Sequence, residues 1–334
     1  MRVDWRIQYV MLALIWGSSF LFIVIAVEVL EPLQVAFGRV AIGAATLLII
    51  LRLLGQRPPS GRRVWGHLTV AGLFYNAVPF ALLAYAGERV PSALSGILNA
   101  TTPLFTVLIA VTVLPSERPT RQRAAGLLIG FCGVLLIFGG AVVDELAATL
   151  PGGFWTGSLM VLGASACYGL ASVYTRVTLA GSGYSAVQLA AGQVACATAL
   201  LAVVTLLFTD RPGGIPARVV FAMLALGALG TGVSYILFWN LLRGVGPTLA
   251  TTVTYLFPVV AVLLGVLFRS DHVTWNELLG GAVIIAGAAL AQRTASSKAA
   301  TATAGASTAA PPAEPPADQS RPSAATPRKQ GREQ

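Results

Sequence analysis

Charge is what this chain has least of. Of 334 residues only 10% are Asp, Glu, Lys or Arg, against 56% that are hydrophobic. A water-soluble domain of this length carries roughly a quarter charged residues, so most of its helices cannot face water. Acids are scarcest where they would matter most. Glu28, Glu88, Glu117 and Glu277 all fall near the ends of apolar runs, and no Asp or Glu sits in the middle of one. That argues against a carrier that binds cations and protons on a central membrane carboxylate. The two histidines, His67 and His272, lie at loop edges, a poor position for a proton relay. The three cysteines, Cys132, Cys167 and Cys196, lie inside apolar runs without metal-ligand spacing and read as small packing residues. A membrane enzyme would need converging acids, a His or Cys cluster or a Ser–His pair at one face. The sequence offers none, so no catalytic residue, metal or cofactor is expected.

What is present is apolar length. Ile7 to Val27 runs 21 residues without a charge, Leu68 to Gly87 20, Val219 to Leu242 24, and Gly244 to Phe268 25. About 20 apolar residues at about 1.5 Å each cross the hydrocarbon core as a helix, which satisfies its own backbone where lipid cannot. The expected fold is an all-α integral membrane protein with ten helices, near 7–27, 34–53, 68–87, 92–114, 122–140, 156–175, 186–208, 218–242, 247–268 and 274–292. The first run follows Arg2 and Arg6 as a signal peptide's would, but it is too long and lacks a small-residue cleavage site. Residues 293–334 turn to Ala, Thr, Ser and Pro, and are expected to form a disordered tail.

The net charge of +9 does not point to nucleic acid, because the basic residues lie between runs and in the tail, never as a stripe with interleaved aromatics. Counted over alternate loops, 11 arginines fall on the side of the N-terminus and 4 on the other. The positive-inside rule then places both termini in the cytoplasm. The 20 arginines against two lysines, with abundant Ala and Gly, suggest a GC-rich bacterial genome and hence a bacterial cytoplasmic membrane.

The chain also repeats itself. Arg39 and Gln193, Glu117 and Asp271, Gly126 and Gly280, and Gly133 and Gly287 each stand 154 residues apart, and Pro103 and Pro258 stand 155 apart. Trp16-Gly17 answers Tyr168-Gly169 at 152. The division expected is a five-helix repeat over 1–140, a linker over 141–155 and a second repeat over 156–292. An odd helix number inverts the second copy, and inverted repeats are typical of secondary transporters that bind substrate between the copies.

These residues also carry a family pattern. Ile15-Trp16-Gly17-Ser18-Ser19-Phe20, Arg39, Asn99-Ala100-Thr101-Thr102-Pro103-Leu104-Phe105, Glu117 and Gly126 form its first half. Tyr255-Leu256-Phe257-Pro258-Val259-Val260, Asp271 and Gly280 form its second. Over about residues 7–292 the chain resembles the drug/metabolite transporter superfamily, specifically the EamA-type carriers with two five-helix domains. The resemblance implies transport of small metabolites such as amino acids or sugars, often outward, without fixing the substrate. Asp271 stands where the pattern usually has Glu.

Helix prolines suggest where a substrate would bind. Proline leaves the carbonyl four residues earlier without its usual partner. Pro79 thus frees Tyr75, Pro103 frees Asn99, and Pro258 frees Thr254. Asn76 adjoins Tyr75 and Tyr255 adjoins Thr254. These residues are candidates to line a central polar cavity, or else the prolines kink the helices and the polar groups serve neighbouring helices. Trp16, Ser18, Ser19, Tyr168, Tyr235 and Trp239 are further candidates, with interhelical packing or an interfacial belt as the alternative. Arg39 is the one charge well inside an expected span. It would attract an anionic group, or else snorkel or pair with Glu28 or Glu31 on the same side. The glycines of the fifth and tenth helices let backbones approach, either packing those helices together or forming a homodimer contact.

The function expected is secondary transport, in the direction of export, of a small polar metabolite by alternating access, in contact with lipid and without nucleic acid. Solute uptake, drug efflux and a non-transporting scaffold or sensor are the alternatives.

Overall fold

The computed structural model describes residues 4–113, 121–146, 153–179, 181–244, 252–287 and 289–290. Among them helices joined by short loops are the only regular structure, and there is no strand. Helix α1 spans Trp5–Val27 and α2 spans Pro32–Leu53. Helix α3 spans Arg62–Gly87 and α4 spans Ser92–Val113, each interrupted near its middle. Helix α5 spans Arg121–Leu146, α6 Phe154–Thr178 and α7 Ala186–Phe208. Helix α8 begins at Ala217–Leu224, widens to a π-helix over Ala225–Val233 and returns to α geometry over Ser234–Gly244. Helix α9 opens with a 3-10 turn at Thr252–Leu256 and continues over Phe257–Arg269, and α10 spans 275–287. Seven of these helices are long and apolar enough to cross a membrane, by length and composition.

Boundaries follow the sequence with informative exceptions. The third helix starts at Arg62 rather than at 68, since its first turns carry Arg62, Arg63 and His67 and project past the apolar stretch. The linker expected over 141–155 is helical as far as Leu146 and again from Phe154. Glu117, the start of the ninth helix at 247–251 and the tail lie outside the described residues.

Two helix interruptions shape the interior of the bundle. In α3, residues Leu73–Ala77 form a π-turn just before Pro79, and the Val78 N–H reaches back to the Leu73 carbonyl. In α4, the helix tightens before Pro103: Ala100 N–H bonds Ile97 O and Thr101 N–H bonds Leu98 O, and the helix resumes at Thr102. Both are backbone answers to proline, which removes a donor and crowds the preceding turn.

The helices cross at glycines. A Cβ on Gly72 would meet the Gln193 carbonyl of α7 at 2.6 Å, and one on Gly227 would run into Ile42 Cβ of α2 and lie 3.1 Å from the Arg39 carbonyl. Only glycine admits that approach of backbones. The fifth and tenth helices pack on each other in the same manner. A Cβ on Gly133 would lie 2.6 Å from the Gly280 carbonyl, and one on Gly287 would lie 2.6 Å from the Gly126 carbonyl. Of the two roles the sequence allowed these glycines, the structure shows the intramolecular one.

At one end of the bundle Glu28, which caps α1, pairs with Arg218 at the start of α8 at 3.1 Å and with Arg269 at the end of α9. At the same end Asp271 Oδ2 accepts from Ser92 Oγ at 2.8 Å and Ala93 N at 3.3 Å, capping the start of α4 from across the chain.

Candidate functional site

The two π-turns bring the polar residues of the interior together. Asn76 is completely buried. Its Nδ2 donates to Tyr235 Oη at 2.8 Å, and its Oδ1 accepts from Gln193 Nε2 at 2.8 Å. A buried amide without partners costs about 1–3 kcal/mol, and here both ends are filled from α7 and α8. On the other π-turn, Thr231 Oγ1 accepts from Arg39 Nε at 3.2 Å while donating to Leu226 O at 3.1 Å.

The carbonyl of Gly230, opened by the wide turn, takes three donors. They are Trp16 Nε1 at 3.2 Å, Arg39 Nη2 at 3.4 Å and Ser234 Oγ at 2.8 Å. Arg39 also lies over the Phe80 ring with its guanidinium carbon 3.8 Å from the centroid, a cation–π contact. Its side chain is held from α3 and α8, and it does not snorkel: 5% of the residue is exposed.

This corrects the pairing expected from sequence. Glu28 is taken by Arg218 and Arg269. Glu31 belongs to the capping box of α2, and its Oε1 accepts from Asp210 N at 3.3 Å. Among the described residues Arg39 has no carboxylate partner.

Tyr75 and Tyr168 form an adjoining group. Tyr75 Oη and Ser172 Oγ are 2.8 Å apart, Ser172 donates in turn to the Tyr168 carbonyl, and the two tyrosine rings lie 6.4 Å apart. Asn99 is buried, and its Oδ1 accepts from Ser165 Oγ of α6 at 3.2 Å. The Asn99 carbonyl that Pro103 sets free is not vacant, because Thr102 Oγ1 donates to it at 2.8 Å. Proline thus marks a buried polar residue in α4, while the freed carbonyl itself is satisfied locally.

Trp16 packs edge-on against Tyr235 and Phe257 and tilted on Phe238, which ties α1 to α8 and α9. Ser18 and Ser19 both donate back to the Ile15 carbonyl at 3.0 Å, so their hydroxyls serve the helix. Thr254 is half-buried in the 3-10 turn before Pro258. The side chains of Tyr255 and Trp239 lie outside the described residues.

Gln193 and Thr231, like Ser165, Ser172 and Phe80, belong to the cluster without being among the candidates expected from the sequence. Gln193 carried a signal, as an amide within an apolar run whose position matches Arg39 at a 154-residue spacing. Thr231 carried none beyond its glycine-rich surroundings.

The cluster has one further regularity. Arg39 to Thr231, Arg39 and Trp16 to Gly230, Asn76 to Tyr235 and Gln193 to Asn76 all join residues before 140 to residues after 155.

Comparison with known proteins gives a consistent result. The EamA-like transporter family matches the chain twice, over residues 5–139 and 155–292. The uncharacterized inner membrane transporter YedA of Escherichia coli strain K12 is 30% identical over 82% of this chain and 86% of that protein. A probable terminal-alkyne amino-acid exporter of Streptantibioticus cattleyicolor is 24% identical over 83% of this chain and 90% of its own length. A solved crystal structure superposes with a TM-score of 0.61 at 22% identity, covering 87% of this chain and 98% of that one, which shows a shared fold.

Proposed function

The chain belongs to the EamA-like transporter family, and on that premise we propose that it is a secondary carrier exporting small polar metabolites such as amino acids. It works by alternating access between two inverted five-helix repeats of a ten-helix membrane protein. Both termini face the cytoplasm. The observation that carries this reading is the reciprocity of the central contacts. Arg39 of the first copy reaches Thr231 in a π-turn of the second, and Gln193, 154 residues after Arg39, reaches Asn76 in a π-turn of the first. Thr231 stands 155 residues after Asn76. A pseudo-twofold axis between the copies accounts for such a pair, and equally for the matched crossing of Gly133 on Gly280 and Gly287 on Gly126.

The chemistry supports a carrier more than a scaffold. Buried amides, phenols and a guanidinium are costly inside a membrane and collect where a polar solute is to be held. The π-turns point the same way, because such turns gather at functional sites. The amino-acid exporter among the relatives favours amino acids over sugars.

Purified protein in proteoliposomes loaded with pooled labelled amino acids, sugars or nucleosides tests the reading, with and without a pH gradient. Saturable efflux above that of protein-free vesicles is expected from the amino-acid pool. No efflux from any pool by folded protein would favour the scaffold instead.

A further inference from the structure

We propose that Arg39 is the carboxylate-binding residue of this carrier and that its substrates are small molecules bearing a carboxylate. The inference rests on the carrier reading and names the substrate class of the same site.

The cluster has unused valences. A guanidinium has five N–H donors. Arg39 uses Nε on Thr231 and one Nη2 hydrogen on Gly230, which leaves three without an acceptor among the described residues, both of those on Nη1 included. Tyr235 accepts from Asn76 through its oxygen, so its own O–H proton has no acceptor among the described residues. Tyr168 Oη has no described partner either, and Tyr235 packs on Trp16, which shares the Gly230 carbonyl with Arg39. Asn99, whose Ser165 partner lies one turn from Tyr168 on α6, accepts at Oδ1 while its Nδ2 meets no described acceptor. Every one of these groups can donate, and none is an acid. Spare donors gathered around a fixed cation are complementary to an oxyanion.

The charge balance points the same way. Arg39 is 5% exposed, and the two acids on its side of the bundle are engaged elsewhere. A buried cation without a counter-charge is disfavoured in a membrane protein, and intramembrane charges characteristically pair with a group of opposite sign when the geometry and the remaining hydrogen bonds allow. Phe80 and the Gly230 carbonyl supply only partial charges. A carboxylate on Nη1 completes the set, and the planar fork of arginine is the donor geometry that fits it. The Phe80 ring holds the guanidinium plane while Thr231 and Gly230 fix its edge, so the open edge is presented in one orientation.

The test is ligand-induced stabilisation of the full chain in lipid nanodiscs, followed by thermal unfolding and by tryptophan fluorescence, since Trp16 shares Gly230 with Arg39. The probes are L-amino acids of varied side chain, their methyl esters, and sodium chloride at equal ionic strength. At least one free acid is expected to shift the unfolding midpoint saturably, with its ester about tenfold or more weaker, the loss that follows from one charged hydrogen-bonded contact. Arg39→Gln, which keeps a donor for Thr231, should abolish the difference between acid and ester, and Arg39→Lys should keep part of it. Tyr235→Phe leaves the cation in place and should weaken acids about threefold to tenfold. Tyr235→Phe decides the matter if Arg39→Gln fails to fold.

Esters binding as well as acids, discrimination surviving in Arg39→Gln, a shift reproduced by chloride alone, or no response to any acid would each overturn the assignment. Failure of the carrier reading looks different. Acids would bind in an Arg39-dependent manner while no solute crossed proteoliposomes. Conversely, transport of neutral sugars or nucleosides unaffected by Arg39→Gln would leave the carrier and remove its anion site.

Discussion

Gln193 donates to Asn76 Oδ1 at 2.8 Å, which makes it the counterpart of Arg39 on Thr231 in the other half of the chain. One partner in each pair sits on an uninterrupted α-helix, α7 or α2, and the other on a π-turn of α3 or α8. The pairs differ in chemistry, with an amide in one and a guanidinium in the other. The two pairs thus correspond in position and differ in chemistry.

Removing Asn76 should therefore hurt both stability and transport. Asn76→Ala strands the Gln193 amide and the Tyr235 hydroxyl, a cost of about 1–3 kcal/mol. Asn76→Leu with Gln193→Leu should recover part of that stability while leaving transport lost. Thermal unfolding in nanodiscs beside flux in proteoliposomes separates the two effects, and a double variant no more stable than the single one would count against the network.

The crossing of α5 and α10 predicts a sharp contrast between glycines. Gly287→Ala would drive its Cβ into Gly130 N and to 2.6 Å from the Gly126 carbonyl, so the helices must part, and overpacking of this kind costs about 1–3 kcal/mol. Gly66→Ala in α3 meets nothing within 4 Å and should be neutral or stabilising by up to about 1 kcal/mol through helix propensity. Unfolding midpoints of the two variants in parallel check the contrast.

The tie of Glu28 to Arg218 and Arg269 joins α1 to α8 and α9 at the end we place outside the cell. Exposed pairs contribute about 0.2–1 kcal/mol each, enough to bias two states of a carrier a few-fold. Glu28→Gln should raise labelling of Ser19→Cys by an impermeant maleimide added from outside, in a background with Cys132, Cys167 and Cys196 replaced by Ala. High salt should mimic the variant by screening. Unchanged labelling would mean that this tie does not hold the outer end closed.

Asp271 is expected to matter through α4. Asp271→Ala removes the acceptor for Ser92 Oγ and Ala93 N, and losing a helix cap costs about 0.5–2 kcal/mol. Asp271→Glu, the residue the family pattern usually has there, should be tolerated, as the same unfolding assay would show.

Much of this architecture is legible in the sequence, because a bilayer imposes a length on every apolar helix and leaves few alternatives. Boundaries are less so. Hydropathy sees only the part of a helix that lipid must cover, so it misses the first turns of α3 with Arg62 and His67. The site is half legible. Prolines at 79 and 103 mark the interrupted helices, and Asn76 and Asn99 are indeed buried beside them. The partners are not visible, since Gln193 and Thr231 reach Asn76 and Arg39 across 117 and 192 residues. The pairing of Arg39 with Glu28 or Glu31 fails for a related reason. The sequence alone leaves same-side acids free, whereas Arg218 and Arg269, on distant helices, hold Glu28.

The most direct test of the central claim is counterflow of a labelled amino acid into proteoliposomes preloaded with the unlabelled compound, measured for wild type, Asn76→Ala and Asn99→Ala. The account predicts saturable counterflow for the wild-type protein and its loss in both variants, with all three proteins reconstituted in folded form. Counterflow undiminished in both variants would contradict a substrate site at the buried junction of the two halves.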